Sequence, residues 1–217
     1  VNLDLDKLFE VYFYNDEPSQ EDTVSEVCAW LGNKAAEFDI VIVPDFGNGF
    51  ISAEMIQKLC DKARFLAVNT QVNSGNRGYH SINRYPRADF VSLNGPELRI
   101  ATHNRHDSYE GLAKILIEKI GAKHFAVTLG SEGALLLSKS PEVTYRTPIL
   151  STKVLDRIGA GDTFLSLTGL CLGGGLDSDV ALFVGSAAAA LEVQVVCNRE
   201  SITPVNLYKY INTLLKS

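Results

Sequence analysis

Residues 156–167 read Asp156-Arg157-Ile158-Gly159-Ala160-Gly161-Asp162-Thr163-Phe164-Leu165-Ser166-Leu167, three small residues followed at once by an apolar helical pattern. Small residues at a helix start leave main-chain N–H groups uncovered, and the helix dipole favours an anion there. Asp162 falls in the first turn, where the same dipole favours its ionised form. A carboxylate repels a phosphate that is merely held. It suits a site where a hydroxyl loses its proton while a transferring phosphoryl group is held nearby. The plainer reading has glycines that permit tight strand–helix packing and Asp162 as a capping acid.

Outward from this stretch, short β-branched runs alternate with amphipathic segments, the pattern of a parallel sheet covered by helices. Strands are expected at residues 7–13, 39–43, 65–68, 89–93, 124–128, 134–137 and 143–145. Helices are expected at 23–38, 52–63, 108–120, 162–172, 177–193 and 204–216. Ser52 and Thr203 are placed as N-caps, Pro204 suits the first helical position, and Gly121 suits a left-handed C-terminus. Gly173, Gly174 and Gly175 stop one helix, and Ala187 to Ala190 permit close packing of the next. There is no repeat, low-complexity tract or linker, so the chain reads as one domain.

Four expected strands run directly into polar clusters. These are Asp45-Phe46-Gly47-Asn48-Gly49, Asn69-Thr70-Gln71-Val72-Asn73, Asn94-Gly95-Pro96-Glu97 and Gly130-Ser131-Glu132-Gly133. Parallel strands would bring all four loops to one carboxyl edge, where open α/β sheets bind ligands. Turn-forming residues alone could account for any one of them.

Composition narrows the classes of function. The 217 residues are 46% apolar and 21% charged, which is globular rather than disordered. A net charge of −6 argues against nucleic acid or an anionic membrane as partner. Tyr79 and Tyr85 among Arg77, Arg84 and Arg87 make too short a basic patch to reverse that. No apolar run is long enough to span a bilayer, and the acidic N-terminus carries no signal-peptide pattern. Cys28, Cys60, Cys171 and Cys197 form no close pair and read as small core residues of a reducing, cytoplasmic setting. His103 and His106 have ligand spacing, but no third ligand lies near them. Trp30, Tyr208 and Tyr210 read as packing residues on helix faces.

Residues 156–162 resemble the C-terminal D-T-x-G-A-G-D signature of the PfkB/ribokinase family of carbohydrate kinases. Asn94-Gly95-Pro96-Glu97 resembles that family's N-x-x-E motif, and Thr128-Leu129-Gly130 through Gly133 its T-x-G-x-x-G turn. The three occur in the family's order, and the Asp45 to Gly49 loop is similar to D-Y-x-K-G of the heptose-phosphate kinase branch. The resemblance implies a three-layer α/β/α sandwich with a mostly parallel, ribokinase-like sheet. It also implies phosphoryl transfer from ATP to a hydroxyl of a sugar or sugar phosphate. Asp162 would be the base, and Gly159, Ala160 and Gly161 the anion hole. Asn94 and Glu97 would order Mg²⁺ through water, and Thr128, Gly130, Gly133 and Asn198 would line the nucleotide site. A monovalent cation and a homodimer stay open.

The departures are specific. Arg157 stands for the signature's Thr, as in some sugar-acid kinases of the family. Asn48 stands for a Lys, and Asn69-Thr70-Gln71 for the D-P-K of many relatives, which removes two cations; Arg77, Arg84 and Arg87 are the candidates to supply charge instead. No Gly-Gly region precedes residue 39, and the only Met is Met55. Residues 1–217 are therefore expected to be the C-terminal two-thirds of a kinase domain, its nucleotide-binding half, lacking the sugar-binding and lid part. A non-catalytic nucleotide-binding module of a larger sugar-activating protein is the alternative. A nicotinamide-dependent oxidoreductase fits less well, since no G-x-G-x-x-G follows the first strand.

Overall fold

The polar clusters do terminate parallel strands. In the computed structural model, which describes residues 11, 20–73, 75–76, 78–196 and 199–216, these are β1 (Val41–Asp45), β2 (Leu66–Thr70), β3 (Phe90–Asn94) and β4 (His124–Thr128). Register places Asp45 opposite Thr70 and Asn94 opposite Thr128, so the strand ends share one edge. An antiparallel hairpin, β5 (Ala134–Lys139) and β6 (Glu142–Thr147), completes a sheet of order β1-β2-β3-β4-β5-β6. The strand expected at residues 7–13 lies, apart from Val11, outside the described residues.

Successive residues of the central strands point to opposite layers, as the two-residue strand period requires. Val68, Val91, Phe125 and Leu135 pack with Ile56 and Leu59 of α2 (Ala53–Lys62), Leu98 of α3 (Gly95–Thr102), and Leu112 and Leu116 of α4 (Tyr109–Ile120). Ala67, Phe90, Ala126 and Leu136 face Phe164 and Leu165 of α5 (Ala160–Gly173) and Ala181 and Leu182 of α6 (Ser178–Glu192). Helix α7 (Pro204–Leu214) adds Leu207 against Ala187 and Ala188. The result is a three-layer α/β/α sandwich with a mostly parallel sheet. Among the described residues, no helix is long and apolar enough to cross a membrane.

Caps fall where residue chemistry puts them. Ser52 accepts from the Met55 N–H at 3.2 Å, Thr203 accepts from Asn206 at 3.2 Å, and Gly121 closes α4 at φ 68°. The helix expected at 23–38 is α1 (Glu21–Lys34) followed by a 3₁₀ turn, Ala35–Glu37. Two expectations need correction. Asn94-Gly95-Pro96-Glu97 is not a loop but the start of α3, with Asn94 and Glu97 forming a reciprocal capping box. Trp30 and Tyr208 are 54% and 65% exposed rather than packed, and the Trp30 ring lies 6.5 Å from that of Phe38. Tyr210 does pack, donating its hydroxyl to the Leu150 carbonyl.

Asp45, at the end of β1, is buried and fully engaged. One carboxylate oxygen accepts the Gly47 N–H at 2.9 Å; the other accepts the Tyr85 hydroxyl at 2.9 Å and faces Arg84 at 3.4 Å. Burial, with the Asp45 charge beside it, pushes the Tyr85 phenol far above its ordinary range, so it remains a donor. Tyr85→Phe leaves a buried carboxylate oxygen short of a partner and is expected to cost about 1–3 kcal/mol. A lower urea midpoint with an unchanged slope would show it; an unmoved midpoint would refute it.

Candidate active site

Helix α5 begins with a residue that only glycine occupies easily. Gly159 caps it at φ 82°, and its carbonyl accepts the Thr163 N–H at 2.8 Å. At Gly161, a Cβ would find no atom within 4 Å, so the main chain there faces open space. Asp162 beside it is open to solvent. Its Oδ1 accepts from Gln71 Nε2 at 3.0 Å, which ties the mouth of α5 to the segment leaving β2. Residues 159–162 thus lie at the carboxyl edge where the other strand ends gather. Crowding strips hydration from the Asp162 carboxyl and raises its pKa, an effect the Gln71 hydrogen bond opposes. The arrangement offers uncovered amides to an anion and, next to them, a carboxylate made more basic than usual.

Glu97 lies deeper. Its Oε2 accepts the Asn94 N–H at 2.8 Å and approaches Asn69 Nδ2 at 3.5 Å, while Oε1 accepts the Val72 N–H at 3.3 Å. Burial raises its pKa against these donors, and the charge of Asp162 adds to the rise. Both oxygens already hold protein donors, so Glu97 fits a cation only through intervening water. Among the described residues, no cluster of three or more His, Cys, Asp or Glu is built to cage a metal.

The glycines after β4 divide by role. Gly130 (φ 60°) has nothing within 4 Å of where a side chain would begin. At Gly133 (φ 83°), a Cβ would stand 2.0 Å from the Thr147 carbonyl and 2.8 Å from the Pro148 carbon. Gly133 is there so that the turn can lie against the end of β6, a packing reason the sequence does not reveal. Asn198 lies outside the described residues.

Beside Asp162 opens a cleft of about 360 Å³ lined by Gly159, Thr163, Ser166, Glu192, Glu200 and Ser201 among others. Glu192, at the end of α6, is buried, and burial raises its pKa against a hydrogen bond from Thr163. Its place in this cleft had no local signal, because an acid at the end of an Ala-rich helix looks solvated. The arginines expected to supply charge are otherwise occupied. Arg84 binds the Ile51 carbonyl at 2.6 Å and faces Asp45. Arg87 holds the Cys60 and Ala63 carbonyls at 2.9 Å each and pairs with buried Asp89. Arg77 lies outside the described residues.

This fold and edge define an α/β domain that can bring an anion and a base together at one helix mouth. Residues 73–204, more than half of the chain, match the model of the pfkB family of carbohydrate kinases, and the chain belongs to that family. Among solved structures, the fold is similar to phosphofructokinase-2 from Escherichia coli in complex with potassium. The TM-score is 0.75 at 16% identity, over 91% of this chain and 64% of that one. Ribokinase from Arabidopsis thaliana complexed with ribose and ATP gives 0.64 at 21% identity, over 90% and 60%. Among curated proteins, the chain is 32% identical over 160 residues to the bifunctional protein HldE of Nitrobacter hamburgensis, covering 71% of this chain and 32% of that protein. The HldE of Magnetococcus marinus is also 32% identical, over 157 residues, covering 71% and 31%. The chain spans about a third of the length of the curated relatives it matches.

Proposed function

We propose that this chain is the nucleotide-binding part of an ATP-dependent carbohydrate kinase that phosphorylates a hydroxyl of a sugar or sugar phosphate. One observation carries the reading. The open main chain at Gly161 adjoins an exposed carboxylate, Asp162, with a raised pKa. Asp162 takes the hydroxyl proton as the oxygen attacks the γ-phosphorus in line, the bond from that phosphorus to the β,γ-bridging oxygen breaks and ADP leaves, and the amides of Gly159, Ala160 and Gly161 hold the equatorial oxygens. MgATP supplies the phosphoryl group and a counter-charge on its oxygens. Asn94 and Glu97 would hold that ion through water. Thr128 and Gly130 line the nucleotide site, while Gly133 shapes the turn that follows β4.

We further propose that residues 1–217 form the C-terminal two-thirds of the kinase domain. The outer edge of β1 has no strand partner among the described residues, and the chain covers 60–64% of the two solved kinases above. Other residues would then supply the acceptor side.

The test is ADP release by the complete protein across a panel of sugars and sugar phosphates, run beside melting curves with MgATP and NADH. Turnover with at least one acceptor supports the kinase. No ADP with any acceptor, together with a melting temperature raised by MgATP, would instead make it a nucleotide-binding module. Stabilisation by NADH and not ATP would end both readings.

A further inference from the structure

Gln71 is fixed more firmly than a residue leaving a strand needs to be. Its N–H donates to the Asp45 carbonyl at 2.8 Å, and its carbonyl accepts Asn76 Nδ2 at 2.7 Å. Asn76 is 7% exposed and is itself held: its Oδ1 accepts the N–H groups of Asn73 and Gly78, and its amide also reaches the Phe46 carbonyl. From this clamp the Gln71 side chain crosses to α5 and donates Nε2–H to Asp162 Oδ1 at 3.0 Å, 91 residues away in sequence. Among the described residues, Gln71 is the only hydrogen-bond partner of the Asp162 side chain. Oδ2 therefore remains to meet a proton.

We propose that Gln71 is the positioning residue for Asp162, its clamped carboxamide fixing which carboxylate oxygen faces the acceptor hydroxyl. This inference rests on the kinase reading and adds a role to a residue outside its motifs. The choice of an amide has a physical consequence. A cation at the same distance would hold the carboxylate ionised and weaken it as a base; a neutral donor orients it at smaller cost to its basicity. The other ionisable groups described around this edge are Glu97 of α3, Glu192 of α6 and Glu200 in the cleft, Asp45 at the end of β1 with Arg84 against it, and Asp156 and Arg157 on the loop before α5. Arg84 is engaged by Asp45 and the Ile51 carbonyl, and none of these groups donates to Asp162.

The test uses the complete protein with MgATP and whichever acceptor it turns over. Gln71→Glu keeps the shape of the side chain and removes the donor; Gln71→Leu removes all polarity. Both are expected to lower kcat by about 10- to 100-fold with KM for ATP within twofold of wild type. Gln71→Lys keeps a donor, retains more activity than Gln71→Leu, and moves the acid limb of the pH profile to lower pH. Carboxyl ¹³C titration of Asp162 provides a readout independent of turnover. Its midpoint is expected to rise in Gln71→Leu and fall in Gln71→Lys. A wild type without ADP production sinks the kinase reading, while the titration still tests the contact. An unmoved titration, or a raised KM for ATP at unchanged kcat, overturns the positioning role.

Discussion

Asp162→Asn in the complete kinase is expected to cut ADP production by about 10²- to 10⁴-fold, the usual worth of a positioned base. The substitution is nearly isosteric, and its side-chain carbonyl can still accept the Gln71 hydrogen bond that fixes Asp162 Oδ1. What is lost is the basic oxygen. ATP affinity should hold or improve, because removing a negative charge near the phosphates removes a repulsion. Calorimetric titration with MgATP, beside the ADP assay, separates the two effects. In the wild type, the base must be ionised to accept a proton, so the rate falls as pH drops through its pKa. Since desolvation raises that pKa, the acid limb of kcat/KM should lie above the ordinary aspartate value. Stability runs the other way: a carboxyl with a raised folded pKa makes the fold less stable as pH climbs from the ordinary to the raised value. The Asn variant should lose that slope. An Asn variant within tenfold of wild-type turnover would mean another group takes the proton.

How far these features could be read from the sequence depended on how local their causes are. β1 to β4 were legible because short apolar runs ending in Asp, Asn and Gly carry both the strand period and the turn chemistry. The mouth of α5 was legible because three small residues stand directly before an apolar run. Helix α3 was missed because Asn94, Gly95 and Pro96 read as a turn, although Asn at the N-cap and Pro in the first turn also start helices. Its eight residues were too few for periodicity to decide. Distant partners hid the rest. Arg84 is taken up by Asp45 at the end of β1, and Arg87, besides its near neighbour Asp89, is held by the carbonyls of Cys60 and Ala63, 27 and 24 residues away. Gln71 looked like the absence of a cation until the fold brought it to Asp162.

Two glycines within the family's motifs should respond in opposite ways to the same added methyl. Gly133→Ala puts a Cβ 2.0 Å from the Thr147 carbonyl, in a backbone conformation (φ 83°) that L residues avoid. The obstacle is main chain, which cannot rotate away, so the β5–β6 hairpin or the turn after β4 must shift. Steric overlap and strain together should cost about 3 kcal/mol or more in stability. Any lost activity should then follow the folded fraction. At Gly161 a Cβ meets nothing within 4 Å, and the residue is already helical. Alanine there should leave stability unchanged or raise it by up to about 1 kcal/mol, from helix propensity. Yet the same methyl enters the space the phosphoryl oxygens would use, and a displacement of about an ångström costs on the order of 10²-fold in rate. Urea unfolding and ADP release, measured on both variants, distinguish a glycine kept for packing from one kept for a ligand. A fully active Gly161→Ala protein would show that the phosphoryl group does not sit at the mouth of α5, and the assignment of Asp162 as base would fall with it.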